Sequence, residues 1–386
     1  MAVMQAAAEP VPAVAGAVAA PLPPPALQTG AFGWARKRLF GGWVSSIITL
    51  ALLYLLVRFV LSVLAWGVLH AVWSVPYAAS GTPDTSACQQ AQGIGACWAV
   101  IADKYRFILF GPYPYEQQWR PLICVVLFVA LYVVSAMRRF WKASLIGIWV
   151  ATLTVIFLLM WGGVAGMPFV ATDQWGGLPL TLILSTFGIA AAFPLAVLVA
   201  LGRRSRELPM VRWLCVIYVE LIRGVPLITV LFMASVLFPL FMPEGIDPNK
   251  LLRAQVAIIL FAAAYLAEVV RGGLQALPRG QFEAADALGL SYWNKMGFIA
   301  LPQALRLVIP PLVNTFIGLF KDTSLVLIIG IYDLLTAGKT AIADPNWSPY
   351  ATEVYVFVGA IYFVFCYAMS RYSRGLETSF SVSRRR

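Results

Sequence analysis

Charge is scarce in this chain. Only 12% of its 386 residues are Asp, Glu, Lys or Arg, where a soluble protein carries about a quarter, so a solvated globular surface cannot be built from it. Histidine is scarcer still, with His70 the single one. The five cysteines include no CxxC pair, so the spacing of a zinc or iron–sulfur site is missing and no metal is proposed. No clustered His, Asp or Cys constellation is present to serve a membrane enzyme. The phosphate-binding pattern GxxxxGK(S/T) is also missing, which excludes ATP binding by that route. Net charge is +11, yet the basic residues sit in short clusters beside apolar runs, with no aromatic–basic module for nucleic acid.

What the chain has in excess is apolar length. Hydrophobic residues make up 61% and mean hydropathy is +0.81. The runs are long enough to cross about 30 Å of hydrocarbon at about 1.5 Å per residue. The reading is therefore an all-α polytopic membrane protein. Eight spans are expected, at about 43–69, 121–137, 145–167, 179–201, 214–238, 253–272, 306–331 and 352–370. Residues 1–42 read as a disordered tail, because prolines at 10, 12, 21 and 23–25 block a regular helix. A cleaved signal peptide is not expected, since Arg36-Lys37-Arg38 follows the apolar stretch instead of preceding it. The segment at 70–120 is polar and reads as an external loop; if it is outside, Cys88 and Cys97 could close a small disulfide loop or stay as two free thiols.

Basic residues decide the orientation. With both termini inside, the inner segments hold nineteen Lys and Arg, among them Arg138, Arg139, Lys142, Arg203, Arg204, Arg206 and Arg212, with Arg371, Arg374 and Arg384–Arg386 in the tail. The outer segments hold six: Lys104, Arg106, Arg120, Lys250, Arg253 and Lys339. This bias predicts both termini in the cytoplasm and places the loop at 273–305 there too.

That loop contains Glu283-Ala-Ala-Asp-Ala-Leu-Gly-Leu-Ser-Tyr-Trp-Asn-Lys295, running on to Ile299-Ala-Leu-Pro302. Ala284, Leu288 and Tyr292 fall at i, i+4 and i+8, with Glu283, Asp286, Asn294 and Lys295 around them, so 283–295 reads as a short amphipathic helix. Gly289 is a notch in it, costing about 1 kcal/mol against Ala unless something must approach closely. Such a segment can lie on the lipid surface or dock a soluble partner.

Three further groups of polar residues touch the apolar spans. Glu220 and Arg223 are spaced i, i+3 and are geometrically ready for a local ion pair; Glu268 and Arg271 repeat the spacing. Both pairs fit a role in gating or at the cytoplasmic interface, where an arginine can snorkel. After Arg271 come Gly272 and Gly273 and then Pro278, so the helix is expected to break before the 283–302 stretch. Lys321-Asp322 should lie near mid-membrane, followed by Thr323 and Ser324. Adjacent residues on a helix do not face each other, so each needs a partner elsewhere. They can line a translocation route, Asp322 for an ammonium and Lys321 for a carboxylate, or lock helices together.

Glu283-Ala284-Ala285, Gly289, Ile299, Leu301 and Pro302 together resemble the pattern of membrane permease subunits of bacterial ATP-driven (ABC) importers, and the flanks resemble those for polar amino acids. Gly177-Leu-Pro-Leu-Thr-Leu-Ile-Leu-Ser185, Tyr218-Val-Glu-Leu-Ile-Arg-Gly-Val-Pro-Leu227 and Asn314-Thr-Phe-Ile-Gly-Leu-Phe-Lys-Asp-Thr-Ser-Leu325 look like core helices of that family. The resemblance implies a five-helix permease core at 175–375, preceded by three extra transmembrane helices within 43–174 and followed by a basic tail at 376–386. This layout is similar to the larger permease subunit of a general L-amino acid importer. It implies a coupling helix that seats in an ATP-hydrolysing subunit, with Glu283 capping or salt-bridging it, Ala284, Ala285 and Leu301 as contacts, Gly289 allowing close approach and Pro302 setting a helix–helix corner. The partners so implied are a dimer of ATP-binding subunits holding ATP-Mg, a second related permease, a periplasmic amino-acid-binding protein, an L-amino acid and the lipids of a bacterial inner membrane. The chain itself would carry no cofactor and no catalytic residue. A secondary amino acid transporter, a channel or a non-transporting scaffold subunit are the rival classes, but no internal repeat of a secondary carrier is detected.

Overall fold

The computed structural model describes residues 30–79, 81–205, 207–243, 245 and 248–383, and divides the chain into two units, at 1–69 and 70–386. The tail before residue 30, Arg206 and Arg384–Arg386 lie outside the described residues.

In the first unit, α1 (Gly30–Leu39) precedes α2 (Trp43–Leu64), which runs on through a π-helical turn to Leu69. The irregular tail expected to reach residue 42 is thus corrected over Gly30–Leu39: past the last proline the residues are free to form a helix. Ser45 and Thr49 hydroxyls donate to the Leu39 carbonyl at 3.0 and 2.8 Å, satisfying an open end of α1. No residue of α2 is buried, and its side chains are almost all apolar, as a lipid-facing helix requires.

In the second unit, α3 (Ser86–Ala91) and α4 (Ala99–Phe110) form an insert where a loop is expected. The correction has a physical reason: α4 buries Ala99, Val100, Ile108 and Phe110 against elements far along the chain, including α7 (Gly177–Arg204) and α15 (Leu334–Ala341). Tertiary burial supplies what local periodicity does not show. The spans α5 (Trp119–Ala136) and α6 (Ser144–Trp161) follow as a helical hairpin. Arg120, wholly buried near the start of α5, donates to the carbonyls of Leu159 and Pro168 at 2.6 and 3.0 Å and so pins the hairpin shut.

The centre is the pair α7 and α10 (Lys250–Gln275). Alanines at 254, 257, 262, 263, 264 and 267 are buried on α10, so the two backbones approach closely. About half of each span is buried, against 11% for α6, which separates core helices from peripheral ones. Between them, the fifth expected span is not one helix. It consists of α8 (Pro209–Arg223) and an arm, α9 (Leu227–Phe232) extended to Phe241, bent by 104°. The single straight span at 214–238 is corrected: Pro226 cannot donate into the helix before it, and the chain turns at Gly224-Val225. The helix α10 runs through Gly272 and Gly273 to Gln275 and ends before Pro278, so the break falls ahead of the 283–302 stretch, as expected.

Next come α11 (Arg279–Ala287), α12 (Tyr292–Asn294), α13 (Leu301–Leu307) and α14 (Ile309–Asp322), the last passing into a 3-10 stretch at Thr323–Ile329. The short α15 is followed by α16 (Ala351–Ser383), which stays helical into the stretch read as a tail at 376–386. Among the described residues, seven helices are long and apolar enough to cross a membrane, or eight if the bent pair counts as one.

Candidate functional site: the 279–307 segment and the charges behind it

The stretch read as one helix is two. The helix α11 ends at Ala287 because Gly289 takes φ +70°. The Leu290 amide donates to the Ala285 carbonyl (3.2 Å) and the Gly289 amide to that of Asp286 (2.9 Å), which is the Schellman pattern. Ser291 then caps the next helix by accepting from the Asn294 amide (3.4 Å). The backbone angle by itself calls for glycine here, and a Cβ placed on Gly289 meets nothing of this chain within 4 Å, so the outer side of the turn is open.

From Tyr292 the chain is helical to Leu307, with a π turn over Lys295–Ala300. Pro302 sits just after that turn, in the middle of this continuous helix. It sets no corner in this helix, and the next interruption falls at Val308, where α13 gives way to α14. Glu283 is exposed in mid-helix, so it caps neither end. The ion pair that fastens the two helices joins Asp286 to Lys295. Gln303 adds a 3.1 Å hydrogen bond to Gln281 across the same angle.

The segment has two faces. Ala285, Met296, Ala300 and Ala304 are buried against the helical core, and Leu301 is half-buried beside them. Ala284 is on the outer side, with Leu288 at 77%, Trp293 at 67% and Phe298 at 79% exposed. Leu288, Trp293 and Phe298 are thus large apolar side chains left uncovered on the outer side of the elbow.

Behind the elbow is a group of charges that joins three helices. Arg203, at the end of α7, donates to Glu268 of α10 (2.8 Å) and Glu220 of α8 (2.9 Å). Arg271 donates through Nε to Glu268 (3.0 Å), and Arg223 lies 4.0 Å from Glu268 with its guanidinium over the Tyr265 ring. The i, i+3 pairing of Glu268 with Arg271 is present. That of Glu220 with Arg223 is not: Glu220 turns to Arg203, and Arg223 to Glu268. Next door, Arg204 donates to the Leu274 carbonyl (2.9 Å) and places its guanidinium 5.2 Å from the Phe282 ring, so it ties α7, α10 and α11 together.

Lys321 is exposed and Asp322 half-buried, at the point where α14 tightens into 3-10 geometry. Neither makes an ion pair among the described residues. Thr323 and Ser324 hydroxyls donate to the carbonyls of Phe320 (2.8 Å) and Lys321 (2.7 Å), so both are engaged in closing the helix end.

Comparison with known proteins bears directly on this arrangement. Residues 192–381 match the family described as binding-protein-dependent transport system inner membrane component. An inner membrane amino-acid ABC transporter permease protein of Escherichia coli (strain K12), YhdY, is 48% identical over 357 residues, covering 91% of this chain and 93% of that protein. The permease protein BztC of a glutamate/glutamine/aspartate/asparagine transport system in Rhodobacter capsulatus is 37% identical, covering 93% and 95%. A probable amino-acid ABC transporter permease protein of Bacillus subtilis (strain 168), YckA, is 33% identical over 205 residues, which is 53% of this chain but 88% of that protein. The chain belongs to this family of inner-membrane permeases.

Permeases of the family are not enzymes; ATP hydrolysis resides in a separate subunit. Among the described residues of this permease no group of His, Cys, Asp or Glu could hold a metal ion. Cys88 and Cys97 are joined in a disulfide, with Cα atoms 5.4 Å apart. Three junction residues of the permease escape sequence reasoning. Arg203 and Arg204 look like ordinary inner-leaflet anchors, and only the folded packing makes them junctions. Asp333 is fully buried at the start of α15, accepting from the amides of Leu335 (3.1 Å) and Thr336 (2.9 Å) and from the Tyr362 hydroxyl (3.1 Å). An Asp three residues before a Thr at a helix start was the available sign.

Proposed function

We propose that this permease is the transmembrane subunit of an ATP-driven importer that carries L-amino acids, of polar or broad range, from periplasm to cytoplasm. The observation that carries the reading is the outward knob of Leu288, Trp293 and Phe298 on an elbow tied by Arg204 to both central helices. Such a knob is suited to a groove in a cytosolic ATP-binding subunit, where Glu283, Ala284, Ala285 and Gly289 would lie at or beside the contact. Movement of the elbow would be passed to α7 and α10 and alternate the spans between outward-open and inward-open states. The Arg203–Glu268 group would close the cytoplasmic end in one of those states.

The amino-acid cargo is supported by the names of the relatives that align along nearly the whole chain. The same kinship supports a second, related permease, an ATPase dimer loaded with ATP-Mg and a periplasmic binding protein as partners. We read 175–375 as the core and 43–174 as an added N-terminal part, since YckA spans only about half of the chain. Both termini are placed in the cytoplasm by the distribution of Lys and Arg. Lys321, Asp322, Thr323 and Ser324 are retained on the proposed route.

The test is Trp293→Asp or Leu288→Asp in the importer reconstituted with its ATPase and binding protein. Stimulated ATP hydrolysis should be lost while the chain still inserts at wild-type levels. A variant that inserts and keeps full stimulated hydrolysis and uptake would overturn the assignment.

A further inference from the structure

A cavity of about 330 Å³ opens at the end of α10 opposite the coupling elbow. The 26 residues of α10 hold the two sites about 39 Å apart. Three stretches line it: Ala171–Trp175 leading into α7, the start of α10, and the turn Gly330–Tyr332. Its polar wall is Thr172, Asp173, Asn249, Lys250, Arg253 and Tyr332. The volume is at the small end of ligand pockets and suits one compact solute.

The charges are sorted within the cavity. Lys250 and Arg253 stand on one face of α10 at i, i+3, at the helix end whose amides carry partial positive charge. The Lys250 ammonium reaches over the 330–332 turn, 3.7 Å from where a Cβ on Gly330 would lie. Arg253 donates to the Ser235 carbonyl (3.0 Å), which holds its guanidinium beside the cavity. Asn249 caps α10 by accepting from the Leu251 amide (2.8 Å) and bonds Thr172 on the facing stretch, so the two walls are fastened. Asp173, the one carboxylate among the described lining residues, lies on that facing stretch and is exposed. Neither Lys250 nor Asp173 makes an ion pair among the described residues.

A positive wall facing a carboxylate across a small cavity is the complement of a zwitterion. We propose that this cavity is an entry subsite for a free α-amino acid, with Lys250 and Arg253 receiving its α-carboxylate and Asp173 its α-ammonium. Recognition is then confined to the groups that every amino acid shares, and the side chain is left to the open mouth. A permease built this way selects α-amino acids as a class and is tolerant of side chains. The subsite rests on the reading of the chain as an amino acid permease.

The test uses the assembled permease–ATPase complex in nanodiscs, without the binding protein, and radiolabelled L-glutamine, L-glutamate and L-alanine as probes. All three should bind at millimolar concentration, and 4-aminobutanamide and glutaramate, which lack the carboxylate or the ammonium of glutamine, should bind at least about tenfold more weakly, as loss of one charged hydrogen bond requires. Lys250→Gln and Asp173→Asn should each weaken L-glutamine about tenfold, while Lys250→Arg stays within about twofold. No binding of any probe, equal binding of the truncated analogues, or wild-type binding by both neutral variants overturns the subsite. If the wild-type importer with its binding protein moves amino acids while the variants bind and transport normally, only the subsite falls. If the wild type moves no amino acid, the underlying reading falls with it.

Discussion

Gly177 shows how much one residue can decide in this permease. It starts α7 at φ +67°, and a Cβ there would lie 2.0 Å from the Leu109 carbonyl oxygen. The start of α7 therefore lies flush against the end of α4, beside the backbone bridges of Gly176 to Tyr332 and Gly177 to Asp333. Thr181, one turn on, accepts from the Leu334 amide at 3.0 Å, which joins the same knot to α15. Replacing Gly177 with Ala has to shift backbone, not a flexible side chain. The expected cost is at least about 1–3 kcal/mol, read as a drop in thermal unfolding temperature in detergent. Gly147→Ala in α6, where a Cβ meets nothing, should be neutral or slightly stabilising.

Among elements, the coupling elbow separates two explanations that sequence spacing leaves merged. If Gly289 matters through its backbone angle, Gly289→Asn should keep stimulated ATP hydrolysis, because Asn tolerates positive φ, and Gly289→Leu should lose most of it. If close approach to a partner matters instead, both variants should fail alike. Pro302 gives the complementary case. It lies inside a continuous helix behind a π turn, so Pro302→Ala should leave hydrolysis and uptake within about twofold of wild type, restoring an amide that a helix can use. A collapse of coupling in Pro302→Ala would return the corner to Pro302. The bent pair α8 and α9 has the same origin in Gly224 and Pro226, and it frees the end of α8 to carry Glu220 towards Arg203.

At the scale of the whole second unit, the insert at 70–118 is fastened by polar contacts to the last helix and to the turn that precedes it. The Cys97 amide donates to Glu353 (2.9 Å), and the Trp347 indole donates to Asp103 (2.7 Å). Tyr77 also donates to Asp103 (2.6 Å), and Lys104 bridges Asp103 (3.1 Å) and Asp344 (2.9 Å). Burial works to raise the Asp103 carboxyl, but the Tyr77, Lys104 and Trp347 donors outweigh it and hold it below the usual carboxylate range. The hydrogen bond from Lys104 is the main cause of the lowering at Asp344. Carboxyls lowered by folding stabilise the protein above their unfolded pKa and lose that contribution as pH falls through the folded value. Unfolding temperature should therefore be flat between about pH 6 and 8 and fall below about pH 4. Lys104→Met should flatten part of that acid slope. An acid slope unchanged in Lys104→Met would remove this cluster as its source. The disulfide adds a loop constraint of about 2.5 kcal/mol to the same insert.

Apolar run length and the bias of Lys and Arg are local properties, and they suffice for the class of protein, the places of most spans and the prominence of the 283–302 stretch. Hydrocarbon admits so few backbone solutions that a long apolar run has almost only one reading. The family pattern was legible for the same reason, because its residues are close together in the chain. What folding alone decided depends on residues far apart. Arg203 meets Glu268 across 65 positions, and the cavity beside Lys250 needs stretches from 171, 249 and 330 to converge. The insert helix α4 is held by burial against α7 and α15 and by the bond from Trp347 to Asp103, all from residues far along the chain. Spacing along a chain carries the period of a helix, but not which helix ends meet; that is set by packing of the alanine face of α10 against α7, and every junction follows from it.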